Sequence, residues 1–413
     1  VGNGKGVNIQ KKGQVRRIFA AQPEQIITAE YRSPIGVHAQ MEPNGGIADV
    51  KAGKAKVICG TQSVAKVVKA LEDVLGFSDD RIEVVNTYLG GAFGRRLYRH
   101  KVVDAARISK RIGKPVHAFR TREEEFLNAY YRPNNHHVMY ATLKDGRIEA
   151  IEHLQASDDM WVSNNMPAMR SIMGSDFPSA NHGARIFYPV ANRSTSVYDI
   201  ELPFPTGVWR GVGAWLNYFA TESFMDELAL AAQADPVAFR LAHLQGQEED
   251  VVRLRKVVER VQERSGWDQP LPEGVGRGFA IAEDRRTVVA MAVEVRIVKG
   301  MVRVSKVTCG MDAGTIVNPE GARTQVEGCI MMGISAALYE ELTIKDSQFT
   351  ASNFHEYPIA TLMDTPEMEI LMIEGREQPS GVGEPPIAPV APAIANAIFD
   401  LTGKRLRNIP LRV

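Results

Sequence analysis

The stretch GVGEPP, residues 381 to 386, sets one carboxylate, Glu384, between glycines and two prolines, just ahead of the apolar run IAPVAPAIANAIFD. With few charged neighbours in the sequence, desolvation would raise the pKa of that carboxyl and the start of a following helix would lower it. The balance suits a general base near neutral pH. An acid facing the dipole of a helix start accounts for the same residue with no chemistry at all. The stretch LGGAFGRR, residues 89 to 96, lies between a strand pattern and a helix pattern, where backbone amides of Gly91, Ala92, Phe93 and Gly94 could approach a phosphate or a cofactor edge. It is not the GxGxxG of a nucleotide fold, and a tight structural turn explains it equally well. In VWRGVG, Arg210 offers a fixed guanidinium fork to an anion or to loop carbonyls. Asp312 and Asn318, in CGMDAGTIVNPEG, read as an ordinary turn and helix start.

Other chemistries lack their residues. Only His136 and His137 of the nine histidines are adjacent, and without HExxH zinc hydrolysis has no support. No GxSxG is present, so an elbow-type serine hydrolase is excluded. Cys59, Cys309 and Cys329 form no CxxC pair, so neither an iron–sulfur cluster nor a structural zinc is encoded locally, and any redox relay must sit on another chain. Lys plus Arg and Asp plus Glu both number 49, which argues against capture of nucleic acid. With 413 residues, 44% of them hydrophobic, the chain can build two or three domains, and no apolar run approaches the roughly 20 residues of a membrane span. It reads as a soluble globular protein. Val1 in place of Met, with no signal segment behind it, fits a processed product or a fragment.

These candidates need elements to hold them. Residues 1–28 show no strong period and read as a lead-in strap. A first domain is expected over 29–263, in a β-α-β-loop-α order: strands in AEYRS and KAKVICG, a helix VAKVVKALEDVL capped by Gly76, the strand RIEVVNTYL, the GGAFGRR loop, and a helix ending at Gly113. A strand pair follows around VMYATLKDGRIEAIEHLQA. Residues 157–210 are read as a long irregular stretch that shapes a pocket or wraps a partner. A helix WLNYFATESFMDELALAAQ leads to DPVAFRLAHL, where Asp235 caps and Pro236 takes the first helical position. Pro/Gly-rich 264–278 is expected as a linker, and 279–413 as a second domain carrying Glu384.

Taken in order, HAQMEP (38–43), GTQ (60–62), GGAFGRR (90–96), WRGVG (209–213), ESFMDELA with DPVAFR (222–240), DAGTIVNP (312–319), QVEGCIMMGISAALYEEL (325–342), NFHEYP (353–358) and GVGEPP (381–386) resemble the molybdenum-cofactor subunit of the xanthine dehydrogenase and aldehyde oxidase family, nearest the branch that holds the beta chain of isoquinoline 1-oxidoreductase. The resemblance implies an α+β fold, with mixed α/β molybdopterin-binding domains in two lobes. It also implies molybdenum held by a pterin dithiolene, as molybdopterin cytosine dinucleotide in bacterial members, with no direct protein ligand to the metal. On that pattern Gln62, Gly91, Ala92, Phe93, Gly94, Arg210 and Gly383 border the cofactor and Glu384 is the catalytic base. The implied reaction is oxidation of an aldehyde or N-heteroaromatic with water as oxygen source. Electrons would pass to a small iron–sulfur (2Fe–2S) subunit, and onward to an FAD subunit or a cytochrome. The setting implied is bacterial, periplasmic before cytoplasmic.

Where purine-oxidising relatives carry an acid after the Gly-Phe-Gly turn, this chain has Arg95, Arg96 and Leu97, and Val212 stands where they have Phe, so xanthine-type recognition is not expected. The Gly-Gln-Gly and Ser-containing cofactor segments of longer members have no counterpart here. The chain is therefore read as the C-terminal part of a molybdenum subunit, completed by a second polypeptide. A non-catalytic structural or cofactor-insertion paralogue is the alternative to a catalytic chain.

Overall fold

The computed structural model describes residues 6–98, 101–161, 176 and 179–413. Part of the stretch expected to be irregular at 157–210 thus lies outside the described residues.

Three sheets organise the chain. The first has the order β1-β9-β8-β7-β2 and uses β1 (Val7–Lys12), β2 (Ile27–Ser33), β7 (Asn135–Lys144), β8 (Arg147–Ser157) and β9 (Asn192–Asp199). β8 and β9 pair parallel and the other neighbours antiparallel. Residues 6–28 are accordingly no strap: β1 is an edge strand of this sheet, and α1 (Val15–Ala21) packs on β8 and β9. β9 likewise corrects the expectation of irregular chain. Its fully buried side chains include Ser194 and Thr195, so the hydrophobic alternation that announces a half-buried strand is missing from its sequence.

A small α/β lobe is inserted between β2 and β7. Its sheet, β5-β4-β3-β6, is built from β3 (Gly45–Lys51), β4 (Lys54–Cys59), β5 (Ile82–Asn86) and β6 (Val116–Phe119). Helices α2 (Val64–Leu75) and α3 (Lys101–Ile112) cover one face, closing a separate core of Ala48, Val57, Val67, Leu71, Val102 and Ala105. Ser63 caps α2, and Gly76 ends it in the left-handed conformation, the stop that its sequence announces. A short helix, α4 (Arg122–Leu127), opens with a Thr121–Glu124 capping box.

The third sheet, β10-β11-β12-β13, comprises β10 (Gly276–Asp284), β11 (Thr287–Val298), β12 (Met301–Asp312) and β13 (Glu367–Met372), the last pair parallel. Helix α5 (Val212–Ala231) joins this sheet to the first. It is buried on nearly every side, as an apolar helix without a polar stripe must be, and it touches β2, β7 and β8 on one flank and β10 and the C-terminal helix on the other. The buried ion pair of Glu222 with Arg240, on α6 (Pro236–His243), locks it at 2.8 Å. An amphipathic helix that the sequence reading passes over, α7 (Glu249–Ser265), packs on β11 and β12. The Pro/Gly-rich stretch expected as a linker at 264–278 holds the end of α7, its left-handed cap Gly266, a turn, and the first residues of β10. The main core runs across it without a break, from Ala29 to Leu411. Helices α8 (Pro319–Leu338) and α9 (Val390–Thr402) complete this side. No helix among the described residues is long and apolar enough to cross a membrane.

Candidate functional site

Where the small lobe, the N-terminus of α5, α8 and the loop before α9 meet, they enclose a cavity of about 820 Å³. Gln62, Phe93, Gly94, Arg210, Gly383 and Glu384, far apart in sequence, all line it. Leu97, Trp161, Val208, Trp209 and Val212 give it an apolar and aromatic wall, and Thr324, Gln325 and Gly328 of α8 form another side. Gly91 and Ala92 stand behind that lining, their carbonyls accepting from Arg96 Nε at 3.1 Å and from the Arg95 amide at 2.8 Å.

The GGAFGRR loop is held by backbone geometry that its glycines permit. Phe93 has a φ of 53° and Gly94 of 109°; a Cβ on Gly94 would lie 2.0 Å from the Val208 carbonyl oxygen, so only glycine fits. The Gly94 amide donates to Gln62 Oε1 at 3.1 Å, while Gln62 Nε2 has no partner among the described residues. The two arginines do not reach into the cavity. Arg95 is buried against Glu125 at 2.5 Å, and Arg96 donates to the carbonyls of Gly91, Gly60 and Glu42 and pairs with the Glu42 carboxylate at 2.9 Å. Glu42 also accepts from the Gly90 amide at 2.6 Å, so HAQMEP and GGAFGRR interlock. His38 closes the frame through Nε2, 2.8 Å from the Val208 oxygen; burial pushes its pKa down to about 4, and the ring is neutral.

Arg210 bridges loop carbonyls, one of the two roles its sequence context leaves open. Its Nε donates to Gly383 O at 2.7 Å and its Nη2 to Gln325 O and Oε1 at 3.1 and 3.0 Å. It thereby ties GVGEPP to α8. Asp312 and Asn318 are structural as expected: Asp312 forms a bidentate pair with Arg253, both contacts at 2.9 Å, and Asn318 caps α8 through the Gly321 amide.

Glu384 precedes a three-residue turn of 3₁₀ helix but caps nothing with its side chain. The carboxylate instead turns toward the cavity, where Oε1 accepts from the Gly211 amide at 3.3 Å and Oε2 lies 3.1 Å from Arg285 Nη2. A helix-start role does not explain that orientation. The few charge partners that Glu384 has in the sequence are added to in space. Arg285 and Asp284 sit beside Glu384, brought there by the β10–β11 turn, in which Arg285 and Arg286 both have positive φ (53° and 67°). Nothing local in EDRR marks these residues as part of a site. Gln325 lay within a recognised segment, QVEG, without a role.

Fold and site can now be set beside known proteins. The family model described as molybdopterin cofactor-binding domain matches residues 2–244, and a second model of the same description matches 240–366. Among curated proteins, the chain is 31% identical over 417 residues to the beta chain of isoquinoline 1-oxidoreductase from Brevundimonas diminuta, covering 98% of this chain and 53% of that protein. It is 32% identical over 426 residues to one of the subunits of nicotinate dehydrogenase from Pseudomonas putida, covering 95% and 34%. The chain thus spans about half the length, or less, of these relatives. Its fold is shared with quinoline 2-oxidoreductase from Pseudomonas putida 86 (TM-score 0.81, 15% identity, 100% of this chain and 78% of that one) and with aldehyde oxidoreductase from Desulfovibrio gigas (TM-score 0.81, 16% identity, 98% and 62%). The architecture is that of a molybdenum hydroxylase large subunit. The chain belongs to the molybdopterin-cofactor-binding subunits of the xanthine dehydrogenase family.

The cavity fits such a cofactor. None of its described lining residues is Cys or His, so a metal there would bring its ligands with it, and the polar groups offered are those that hold an organic ligand: the Gln62 amide, the glycine-loop backbone and the guanidinium edges of Arg210 and Arg285.

Proposed function

We propose that this chain forms the molybdenum-cofactor pocket of a hydroxylase that oxidises an aldehyde or an N-heteroaromatic compound with water as the oxygen source. The reading rests on one observation: the Glu384 carboxylate faces the same cavity as Gln62 and the Phe93–Gly94 backbone and does not cap the 3₁₀ turn it precedes. When bound, the cofactor supplies the water-derived oxygen and accepts two electrons. Glu384 takes the proton as general base, a role worth roughly 10²- to 10⁴-fold in rate. The Gly211 amide and Arg285 fix the carboxylate in direction. Gln62 Nε2 and the glycine loop hold the cofactor edge, Arg210 keeps the Glu384 loop against α8, and Leu97, Trp161, Val208 and Trp209 offer an apolar, aromatic surface to a flat substrate. The same proposal includes the cytosine dinucleotide form of the cofactor, an iron–sulfur electron acceptor on a partner chain and a second polypeptide that completes the molybdenum-binding unit. The naming of these relatives as subunits supports a partner chain.

The test is metal analysis together with turnover on a panel of aldehydes and N-heteroaromatics, using protein purified with its partners. Glu384→Gln is expected to keep molybdenum and to lose 10²- to 10⁴-fold in kcat. A variant that turns over at the wild-type rate, or a wild type without molybdenum, overturns the reading.

A further inference from the structure

Behind Glu384 lies a second acid for which the proposed chemistry has so far no use. Asp284, at the end of β10, is wholly buried, and neither of its carboxylate oxygens accepts an aligned hydrogen bond. A buried carboxyl left in that state is costly unless something uses it. Its neighbours on two sides are ionisable or charged. His182 Nε2, from the loop ahead of β9, lies 3.1 Å from Oδ1, and Arg285 Nε lies 3.7 Å from the same oxygen. Through Nη2 the same guanidinium also reaches Glu384 Oε2, at 3.1 Å, so one arginine spans both acids. Glu283 precedes Asp284 on β10, its backbone held on both sides by the Tyr218 hydroxyl of α5.

The placement is directional. Glu384 and Arg285 line the large cavity, while His182, Glu283 and Tyr218 line a second one of about 420 Å³, together with Gln10, Asn181 and Arg193. Asp284 stands between the two. We propose that Asp284 and His182 form the outlet through which the proton collected by Glu384 leaves the site toward the second cavity. This rests on Glu384 being the base. Oxidation of a C–H bond by water to C–OH releases two electrons and two protons, and a base that keeps its proton serves one turnover only. In the outlet the proton passes from the Glu384 carboxyl, with water as carrier across the edge of Arg285, to the Asp284 carboxylate and then to His182 Nε2. The ring then turns toward the second cavity, which its side chain lines, gives that Nε2 proton to water there and turns back with its Nδ1 proton retained, Nδ1 being buried with no partner among the described residues. Each group returns to its starting charge and no electron moves. Burial, only partly opposed by Arg285 and reinforced by Glu384, pushes the Asp284 carboxyl up to about 7, a value at which it both takes and yields a proton near neutrality. Asp284 and His182 are positioning and relaying residues; neither lines the large cavity.

Two measurements decide it. The first needs no cofactor: ring ¹⁵N shifts of His182 in the full chain, followed against pH and assigned with His182→Gln. Glu384→Gln, which removes a charge that raises the His182 pKa, is expected to move the His182 titration to lower pH, and Asp284→Asn, which removes the carboxyl 3.1 Å from the ring, is expected to shift it measurably. A titration indifferent to Asp284→Asn overturns the outlet; should that isosteric variant fail to fold, Glu384→Gln decides in its place. The second is kcat against pH for the complex with its partners. Asp284→Asn is expected to lower kcat 10- to 50-fold and remove the limb near neutrality, with Asp284→Glu restoring most of the rate. An active wild type with unchanged Asp284→Asn and His182→Gln variants overturns the outlet alone, whereas an inactive wild type overturns it together with the hydroxylase reading.

Discussion

The two walls of the large cavity are built on opposite plans. On the small-lobe side, the charged groups of GGAFGRR are consumed by structure: Arg95 by Glu125, Arg96 by three carbonyls and Glu42, and Gly94 by a contact with Val208 O that admits no side chain. On the β10–α9 side, Glu384 makes two contacts and no cap, Asp284 is buried without an aligned hydrogen bond, and His182 Nδ1 has no protein partner. A wall whose charges are paired holds a shape. One whose ionisable groups are under-satisfied can change protonation state without dismantling itself. The arginines that look most like ligand contacts in the sequence are therefore the frame, and the chemistry sits opposite them.

Deleting one ion of the frame should break that contrast at its strong end. Glu125→Ala leaves Arg95 charged and buried with no carboxylate, and also strips the Asn44 amides of their acceptor. The expected loss of stability is about 3–5 kcal/mol, read in urea melts, with molybdenum content falling alongside. Glu384→Gln, in contrast, is expected to leave stability within about 0.5 kcal/mol of wild type while removing turnover. If both variants unfold the protein alike, the two walls are not different in kind.

Acid and base should separate the walls next. His38 on the frame side has a pKa of about 4, below the roughly 6.5 of an unfolded chain, so the stability tied to its neutral ring is present above pH 6.5 and lost as pH falls toward 4. At pH 5 that loss is about 2 kcal/mol. Asp284 has the opposite slope: raised to about 7 from 3.8, its contribution is present at low pH and lost as pH rises through 7. His38→Gln should therefore cost less Tm at pH 5 than at pH 7.5, and Asp284→Asn should gain more Tm relative to wild type at pH 7.5 than at pH 5. Parallel curves for the two variants would remove the distinction.

How much of this was legible depended on whether a residue's neighbours in space were also its neighbours in sequence. Gly76 ended α2, Pro236 opened α6 behind its Asp235 cap, and the glycines of GGAFGRR marked a tight turn; each is a local signal. Glu384 stood out from its own glycine and proline neighbours, Gln62 was reached through the resemblance, and the structure brings both to one cavity. The group of His182, Asp284, Arg285 and Glu384 has no local signature, because three separate segments supply it and β10, which delivers two of its members, begins inside a stretch that reads as a linker. β9 stayed hidden for a different reason: its buried positions include Ser and Thr, so polarity no longer reports burial.

The smallest expected effect is also the finest probe of the open wall. The Arg285 side chain is 48% exposed, and an ion pair that wet is worth about 0–1 kcal/mol, so Arg285→Ala should slow turnover by less than about fivefold. Its effect on pH should be more telling than its effect on rate. The guanidinium lowers the Asp284 pKa, and removing it should let that carboxyl rise further, moving the limb near neutrality in kcat to higher pH, whereas Arg285→Lys keeps the charge and should leave the limb in place. High salt would screen the exposed contact with Glu384 but reach the buried one with Asp284 far less, so the limb should shift little between about 0.05 and 0.5 M salt, values of about one and a half to half a nanometre in screening length. A limb that moves with salt as much as with Arg285→Ala would place the titrating group in the open cavity and take Asp284 out of the wall's chemistry.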